Sequence, residues 1–172
     1  MATEGTGTYA IDEYVGITPW ALTTGDMANV RVNPAGNSVA YSTDLAYEFV
    51  FSPNHEIPLD GFVEITIPSQ ILIPDPSFSS STCSAPQGQN QGFPSEFVTC
   101  VLLEPDAKGK QKLQILNAFK RISGRANAQF KIVMPGITNP INTSPTDAFV
   151  FTTYAVTVDG AFAIDSFEGA NI

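Results

Sequence analysis

Apolar and polar residues alternate along most of this chain, which is the pattern of β-strands that bury one face. In the clearest run, Leu45–Ser52, every second residue is Leu, Tyr or Phe. Turn-forming Pro, Gly and Asn separate such runs, and no stretch has a clear helical period. The alternation predicts further strands over Ala28–Asn33, Ser38–Ser42, Phe62–Ile67, Leu113–Leu116, Ala128–Met134, Phe149–Val158 and Phe162–Phe167, with a short apolar segment at Ile71–Ile73.

Eight to ten short strands predict an all-β fold, and we expect an antiparallel β-sandwich of the immunoglobulin-like type. A jelly roll is the alternative. The sandwich domain is expected over residues 28–172, preceded by a strand and linker over residues 1–27. The inward face of the predicted strands supplies the expected core, which consists of Leu45, Tyr47, Phe49, Phe51, Val63, Ile65, Ile67, Phe130, Ile132, Phe149 and Phe151.

Two stretches near the ends of the chain share one pattern. Gly160–Gly169 and Gly7–Gly16 have Gly, Ala, Ile, Asp and Gly at matching positions, with Phe and Tyr exchanged at two others. A pattern that recurs at a fixed offset is typical of repeat proteins. Residues 1–27 are therefore expected to correspond to the tail of a preceding repeat. The aromatic and Ile positions of both copies are predicted to mediate assembly: Tyr9, Ile11, Tyr14, Phe162, Ile164 and Phe167.

Three local patterns resemble a known group of proteins. The first is Phe49–Phe51 with the Pro- and Gly-containing turn Ile57–Gly61, the second is the pair of cysteines, and the third is Met134–Pro140 followed by Phe149–Tyr154. In this order they resemble immunoglobulin-like repeats of large surface and fibre proteins of protists such as ciliates and algae. The resemblance spans residues 28–167, although those proteins contain many repeats. It implies an extracellular structural role and supplies no catalytic residues.

Composition narrows the possible partners. The 172 residues carry a net charge of −9, with 17 acidic residues against eight basic ones. An acidic surface repels nucleic acid and anionic membranes, so neither is an expected partner. No apolar run reaches the length of a membrane span, so direct membrane insertion is not expected either. With 43% apolar residues the chain is expected to fold around a core.

The two cysteines and one sequon point outside the cell. Cys83 and Cys100 form an even pair around an irregular loop, which predicts one disulfide, with two buried free thiols as the alternative. Asn142-Thr143-Ser144 matches the N-glycosylation pattern and lies in a predicted loop. We therefore expect an extracellular or cell-surface protein that is glycosylated at Asn142.

Residues suited to catalysis are few. His55 is the only histidine and lies in a polar turn, which predicts a solvated side chain, and no Gly-x-Ser-x-Gly nucleophile motif is present. Glu48 and Glu64 face outward on strands expected to be neighbours, an arrangement that is more typical of a solvated face than of a glycosidase pair. An enzyme is not expected, nor is a cofactor. Calcium remains an alternative at aspartates near strand ends, namely Asp44, Asp60, Asp75, Asp106, Asp147 and Asp159.

The function expected from these patterns is structural: copies or repeats that assemble head to tail into a fibre or cell-surface coat. One alternative is an adhesin or carbohydrate-binding module, for which Phe62, Tyr154 and Trp20 are the candidate exposed aromatics. A viral jelly-roll coat protein is the other. The expected partners are further copies of the same chain, with glycans as a second class.

Overall fold

The computed structural model describes residues 23–36, 38–73, 83–85, 93 and 98–172. Within these residues the fold is all-β, with eight strands and no helix. Four residues singled out by the sequence, Tyr9, Ile11, Tyr14 and Trp20, lie outside the described residues, as does Asp75. The strands are β1 (Gly25–Ala35), β2 (Leu45–Pro53), β3 (Phe62–Ile67), β4 (Thr99–Leu102), β5 (Gln111–Leu116), β6 (Phe130–Ile137), β7 (Phe149–Thr157) and β8 (Gly160–Ala170).

All eight strands belong to one curled, mixed sheet in the order β4-β5-β3-β7-β8-β1-β2-β6. The wholly antiparallel pairing expected from the sequence is corrected at one position, because Gly25 and Asp26 of β1 pair in parallel with β8. β1 pairs antiparallel with β2 on both sides of a shift in register between Ala28 and Arg31, where Asn29 has a φ of 53°. Such a bulge bends a strand, and the parallel pairs with β8 lie before it, at the start of β1. The expected boundary between residues 27 and 28 falls inside β1.

The curl brings β2 and β7 face to face, although β8 and β1 separate them in the sheet. Phe49 lies 6.0 Å from Phe149 and 6.2 Å from Phe151 between ring centroids, and Phe51 lies 5.8 Å from Phe151. As the alternation predicts, the inward residues of β2, β3, β6 and β7 are buried. Leu45 is half buried, because it lies at the first position of β2 and only packs against the core from its rim.

The strand expected at Ser38–Ser42 is wrong. These residues belong to loop 36–44 between β1 and β2. Within this loop, Tyr41 has a φ of 60° and Asp44 has a φ of 55°. A left-handed backbone at both positions interrupts an extended strand. The loop instead attaches to residues after β6, since the Tyr41 amide donates to the Pro140 carbonyl at 2.8 Å.

Cys83 and Cys100 are joined in a disulfide, with their Cα atoms 6.0 Å apart. Cys100 belongs to β4, the first strand of the sheet order, while Ser84 exchanges two backbone hydrogen bonds of 2.9 and 2.8 Å with Val133 of β6, the last strand. The disulfide therefore ties the two outermost strands of the curled sheet to each other. Such a covalent link is typical of proteins in oxidising compartments.

The strand directions define two ends of the molecule. We call one the cleft end; it contains loops 36–44, 68–73, 103–110 and 138–148 and residues 171–172. The opposite end, called the hairpin end, contains loops 54–61 and 117–129 and the turn between β7 and β8. These loops, rather than the sheet faces, carry most of the exposed apolar side chains.

Candidate assembly surfaces

The cleft end presents four exposed apolar side chains, which we call the cleft-end patch: Val39, Tyr41, Leu72 and Ile141. Three of them, Val39, Tyr41 and Ile141, have exposures between 62 and 72%. Backbone hydrogen bonds join the loops that carry these side chains. The Tyr41 amide donates to the Pro140 carbonyl at 2.8 Å, and the Leu72 amide donates to the Thr138 carbonyl at 3.2 Å. Contiguous exposed apolar side chains of this kind mark interaction sites more often than isolated ones do.

A buried hydrogen-bond network holds this end in place. The Tyr47 hydroxyl donates to Asn139 Oδ1 at 2.6 Å, and Asn139 Nδ2 donates to the Val39 carbonyl at 2.7 Å. The Asn139 amide also donates to the Ser42 carbonyl at 2.9 Å. Burial raises the pKa of Tyr47 to about 12. The neutral hydroxyl therefore stabilises the fold fully below the ordinary tyrosine pKa of about 10, and this contribution is lost as pH rises through 12.

Between these loops lies a cleft of about 190 Å³. Among the described residues, its wall contains no charged side chain: apolar atoms come from Pro34, Ala40, Pro140 and Ile172, and amides and hydroxyls come from Ser38, Asn139, Asn142, Thr143 and Ser144. Asn142, the predicted glycosylation residue, is exposed, and its Oδ1 accepts a hydrogen bond from the Ser144 amide at 3.0 Å. A glycan on Asn142 would lie beside Ile141 and cover part of the cleft-end patch.

The hairpin end presents a second group of exposed apolar side chains, the hairpin-end patch, which consists of Leu59, Ile122, Val156, Val158 and Phe162. Val156 and Phe162 lie on opposite faces of the β7–β8 hairpin, because Phe162 pairs with Ala155. Two contacts connect its parts. The Asp60 amide donates to the Phe119 carbonyl at 3.2 Å, and a Cβ at Gly61 would lie 2.6 Å from the Tyr154 carbonyl oxygen. Glycine therefore permits loop 54–61 to pack directly on β7.

Loop 117–129 adds positive charge beside this patch. Lys120, Arg121 and Arg125 are three of the eight basic residues of this acidic chain, and all three are exposed around Ile122. Phe119 is wholly buried, and Gly124 exchanges two backbone hydrogen bonds of 2.8 Å with Ile57. These contacts fix the loop and present its cations outward. The sequence analysis missed this cluster, although three cations within six residues were a visible signal.

The two ends of the molecule differ in the charged residues that lie near their apolar patches. At the cleft end, Asp44 and Asp147 are exposed close to Tyr41 and Ile141 along the chain, and loop 103–110 carries the acids Glu104 and Asp106 together with the cations Lys108 and Lys110. At the hairpin end the cations of loop 117–129 surround Ile122, while acids are found on its other loops at Glu56, Asp60 and Asp159. The side of the hairpin-end patch near Ile122 is thus complementary in charge to the cleft-end patch.

The residues predicted for assembly from the repeated pattern occupy different environments. Phe162 is exposed and belongs to the hairpin-end patch. Ile164 is half buried, and Phe167 packs against the core because it pairs with Phe151 of β7. Among the described members of that set, Phe162 is therefore the residue whose side chain is accessible to another molecule.

His55 is exposed to solvent, as its polar turn predicts, with 63% of its side chain accessible, and its ring is also held by a buried partner. Its Nδ1 lies 2.7 Å from Asp165 Oδ1, and its amide donates to Asp165 Oδ2 at 2.9 Å. Asp165 is fully buried beneath Gly25, and its own amide donates to Thr153 Oγ1 at 3.1 Å. This arrangement attaches loop 54–61 to β8. The sequence signal for this attachment was an aspartate on the buried face of a strand.

The two glutamates considered as a catalytic pair are on separate parts of the sheet, because β2 and β3 are not neighbours. Glu48 forms an ion pair with Lys131 at 2.5 Å. Glu64 binds Lys112 at 2.8 Å and Gln114 at 3.0 Å. The Glu64 hydrogen bond raises the pKa of Lys112. Each carboxylate is therefore engaged in a local cross-strand pair.

The two described candidates for carbohydrate binding, Phe62 and Tyr154, pack on each other. Their ring centroids are 4.6 Å apart and their planes 11° apart, so each ring covers one face of the other. Of the candidate calcium residues, Asp106 accepts hydrogen bonds from the Lys108 and Lys110 amides, and the Lys110 bond is the main cause of its lowered pKa. Among the residues that the structure describes, no three His, Cys, Asp or Glu side chains form a metal-binding group.

No protein-family model matches this sequence, and no curated protein matches it. Among solved structures, the crystal structure of BslA, a bacterial hydrophobin, is similar at 16% identity with a TM-score of 0.46, over 86% of this chain and 96% of that one. The C-terminal domain of the Streptococcus pyogenes antigen I/II-family protein AspA is similar at 10% identity with a TM-score of 0.40, over 85% of this chain and 46% of that one. The likeness is a loose one of fold. No described helix is long and apolar enough to cross a membrane.

Proposed function

We propose that this protein is an extracellular structural subunit, a β-sandwich of the immunoglobulin-like type, whose copies assemble head to tail into a fibre or surface coat. The observation that carries the proposal is the presence of two groups of exposed apolar side chains at opposite ends of one sheet. A protein with one such patch would form pairs, whereas two different patches at opposite ends favour an open chain of copies.

Charge favours contact between unlike ends. Two cleft ends would bring Asp44 and Asp147 against their own copies, and two hairpin ends would bring the cations of loop 117–129 together. Like charges that face each other across an interface weaken it, whereas unlike charges select the partner and its orientation. The contact that avoids both repulsions joins the cleft end of one copy to the hairpin end of another.

Three further features support an extracellular scaffold. Rings of β2 and β7 pack across the core as two layers of a sandwich would. The disulfide fits an oxidising compartment. The match between Gly7–Gly16 and Gly160–Gly169 fits units that follow one another in a line.

Charge reversal in loop 117–129 tests this function. We expect the variant Lys120→Glu, Arg121→Glu, Arg125→Glu to need at least about a tenfold higher concentration to assemble, because it would then face the acids of the cleft end. Added salt should also weaken assembly of the parent protein, since it screens exposed charges. Sedimentation velocity over a concentration series measures both effects.

The matched control reverses charge at the other end of the molecule. Lys108→Glu with Lys110→Glu makes the cleft end more acidic, so assembly should be retained or strengthened. If the parent protein stays monomeric at every concentration, or if the loop variant assembles as the parent does, the head-to-tail proposal is contradicted.

A carbohydrate-binding module is the second candidate, and one observation favours it. The cleft has an uncharged wall of amides, hydroxyls and apolar atoms, which suits a neutral sugar ring. Titration of the protein with neutral mono- and oligosaccharides, monitored by changes in the amide signals of Asn142 and Thr143, would support this function if those signals shifted saturably.

A further inference from the structure

We propose that the β7–β8 turn of one copy inserts Val158 into the cleft of the next copy. This inference rests on the proposed head-to-tail assembly and identifies the contact that joins the two ends. Val158 is the knob, and the wall formed by Pro34, Ala40, Pro140 and Ile172 is the socket.

The turn presents Val158 with no cover from its own chain. Its exposure is 102%, and it lies between the last pair of the hairpin, Thr157 and Gly160. Thr157 Oγ1 accepts a hydrogen bond from the Asp159 amide at 3.2 Å, which braces the turn. Tight hairpin turns favour Gly, Asn and Asp, so a β-branched apolar residue here brings no advantage to folding. Burial against another molecule gives this residue a physical role.

The cleft has the size and chemistry to receive this turn. Its volume of about 190 Å³ admits a valine side chain together with part of its backbone, and its wall is more apolar than polar. The amides and hydroxyls of Ser38, Asn142 and Thr143 can bond the polar backbone of the turn. They can also donate to the Asp159 carboxylate, which meets no acidic side chain in the wall.

The positions of knob and socket determine the form of the assembly. The turn belongs to the hairpin end and the cleft to the opposite end, so a molecule cannot fill its own cleft. When two copies dock, the pair still has one unoccupied β7–β8 turn and one unoccupied cleft. The interface is therefore heterologous and propagates as an open chain unless its rotation closes a ring. A glycan on Asn142 would obstruct the socket and end the chain at that copy.

Site-directed cross-linking tests the contact. Both native cysteines are engaged in the disulfide, so an added cysteine is the free thiol of the folded protein. We would mix Val158→Cys with Ser38→Cys under mild oxidation at a concentration where the parent assembles, and analyse the products by non-reducing electrophoresis and mass spectrometry. We expect a disulfide-linked dimer in the mixture and at least about tenfold less product from either variant alone.

Arg31→Cys serves as the control partner for Val158→Cys, because Arg31 is exposed in the middle of β1 and does not line the cleft. A dimer with Arg31→Cys as abundant as that with Ser38→Cys would overturn the inference. Assembly of both variants without the specific cross-link would also overturn it and leave head-to-tail assembly intact. Absence of assembly in the parent protein would overturn the proposed function and this contact together.

Discussion

Replacing Phe49 with Ala is expected to lower the free energy of unfolding by about 3–5 kcal/mol. Phe49 is fully buried in β2 and touches rings on both sides, at 6.4 Å from Tyr47 and 6.2 Å from Phe151 between centroids. The substitution leaves a cavity where β2 meets β7, which the curled sheet cannot close without moving both strands. Urea denaturation followed by circular dichroism measures the change.

Phe162→Ala is the matched control, because it removes the same ring from an exposed position on β8. Its effect should stay within about 0.5 kcal/mol, as for ordinary surface substitutions. If Phe49→Ala costs less than about 1 kcal/mol, Phe49 does not fill the core between the two layers, and the packing of β2 on β7 is contradicted.

Removing the disulfide is expected to cost about 3 kcal/mol, the chain-entropy value for a loop of this length. The cysteines are 17 residues apart. In the folded protein the bond also joins β4 to the segment that pairs with β6, so its loss should loosen the two outermost strands first. Cys83→Ser with Cys100→Ser, compared with the parent by thermal and urea denaturation, measures the loss.

Hydrogen exchange provides a second measurement on the same variant. Amides of β4 should lose protection more than amides of β7, which lies inside the sheet between β3 and β8. Equal stability of parent and variant would contradict the role given to this bond. So would two reactive thiols in unfolded, unreduced parent protein.

Strands with one buried face were predictable from the sequence. Phe49, Ile65 and Phe151 lie on strict alternations, and these alternations place their strands within a few residues of the observed bounds. The parallel contact of Gly25 with Asp165 was not predictable, because it depends on a partner far along the chain. Local periodicity contains no information about which strand becomes the neighbour.

The candidate assembly surfaces were harder to predict from the sequence than the strands were. The repeated pattern selected Phe162 but also Phe167, since a pattern match does not distinguish exposed residues from buried ones. The cleft-end patch was missed because Tyr41 and Ile141 lie on loops that meet only in three dimensions. The solvent exposure of loop side chains follows no sequence period. In the sequence, only clusters of charge and unusual residues in turns indicate which loop side chains are exposed.

Head-to-tail assembly is tested most directly by sedimentation velocity on two variants that each lose one end. Ile141→Asp disables the cleft end, and Ile122→Asp disables the hairpin end, each by placing a charge in an apolar contact. Each variant alone should be monomeric. An equal mixture should form dimers and nothing larger, because one intact cleft end meets one intact hairpin end. Dimers of either variant alone, or a mixture that stays monomeric while the parent assembles, would contradict head-to-tail assembly.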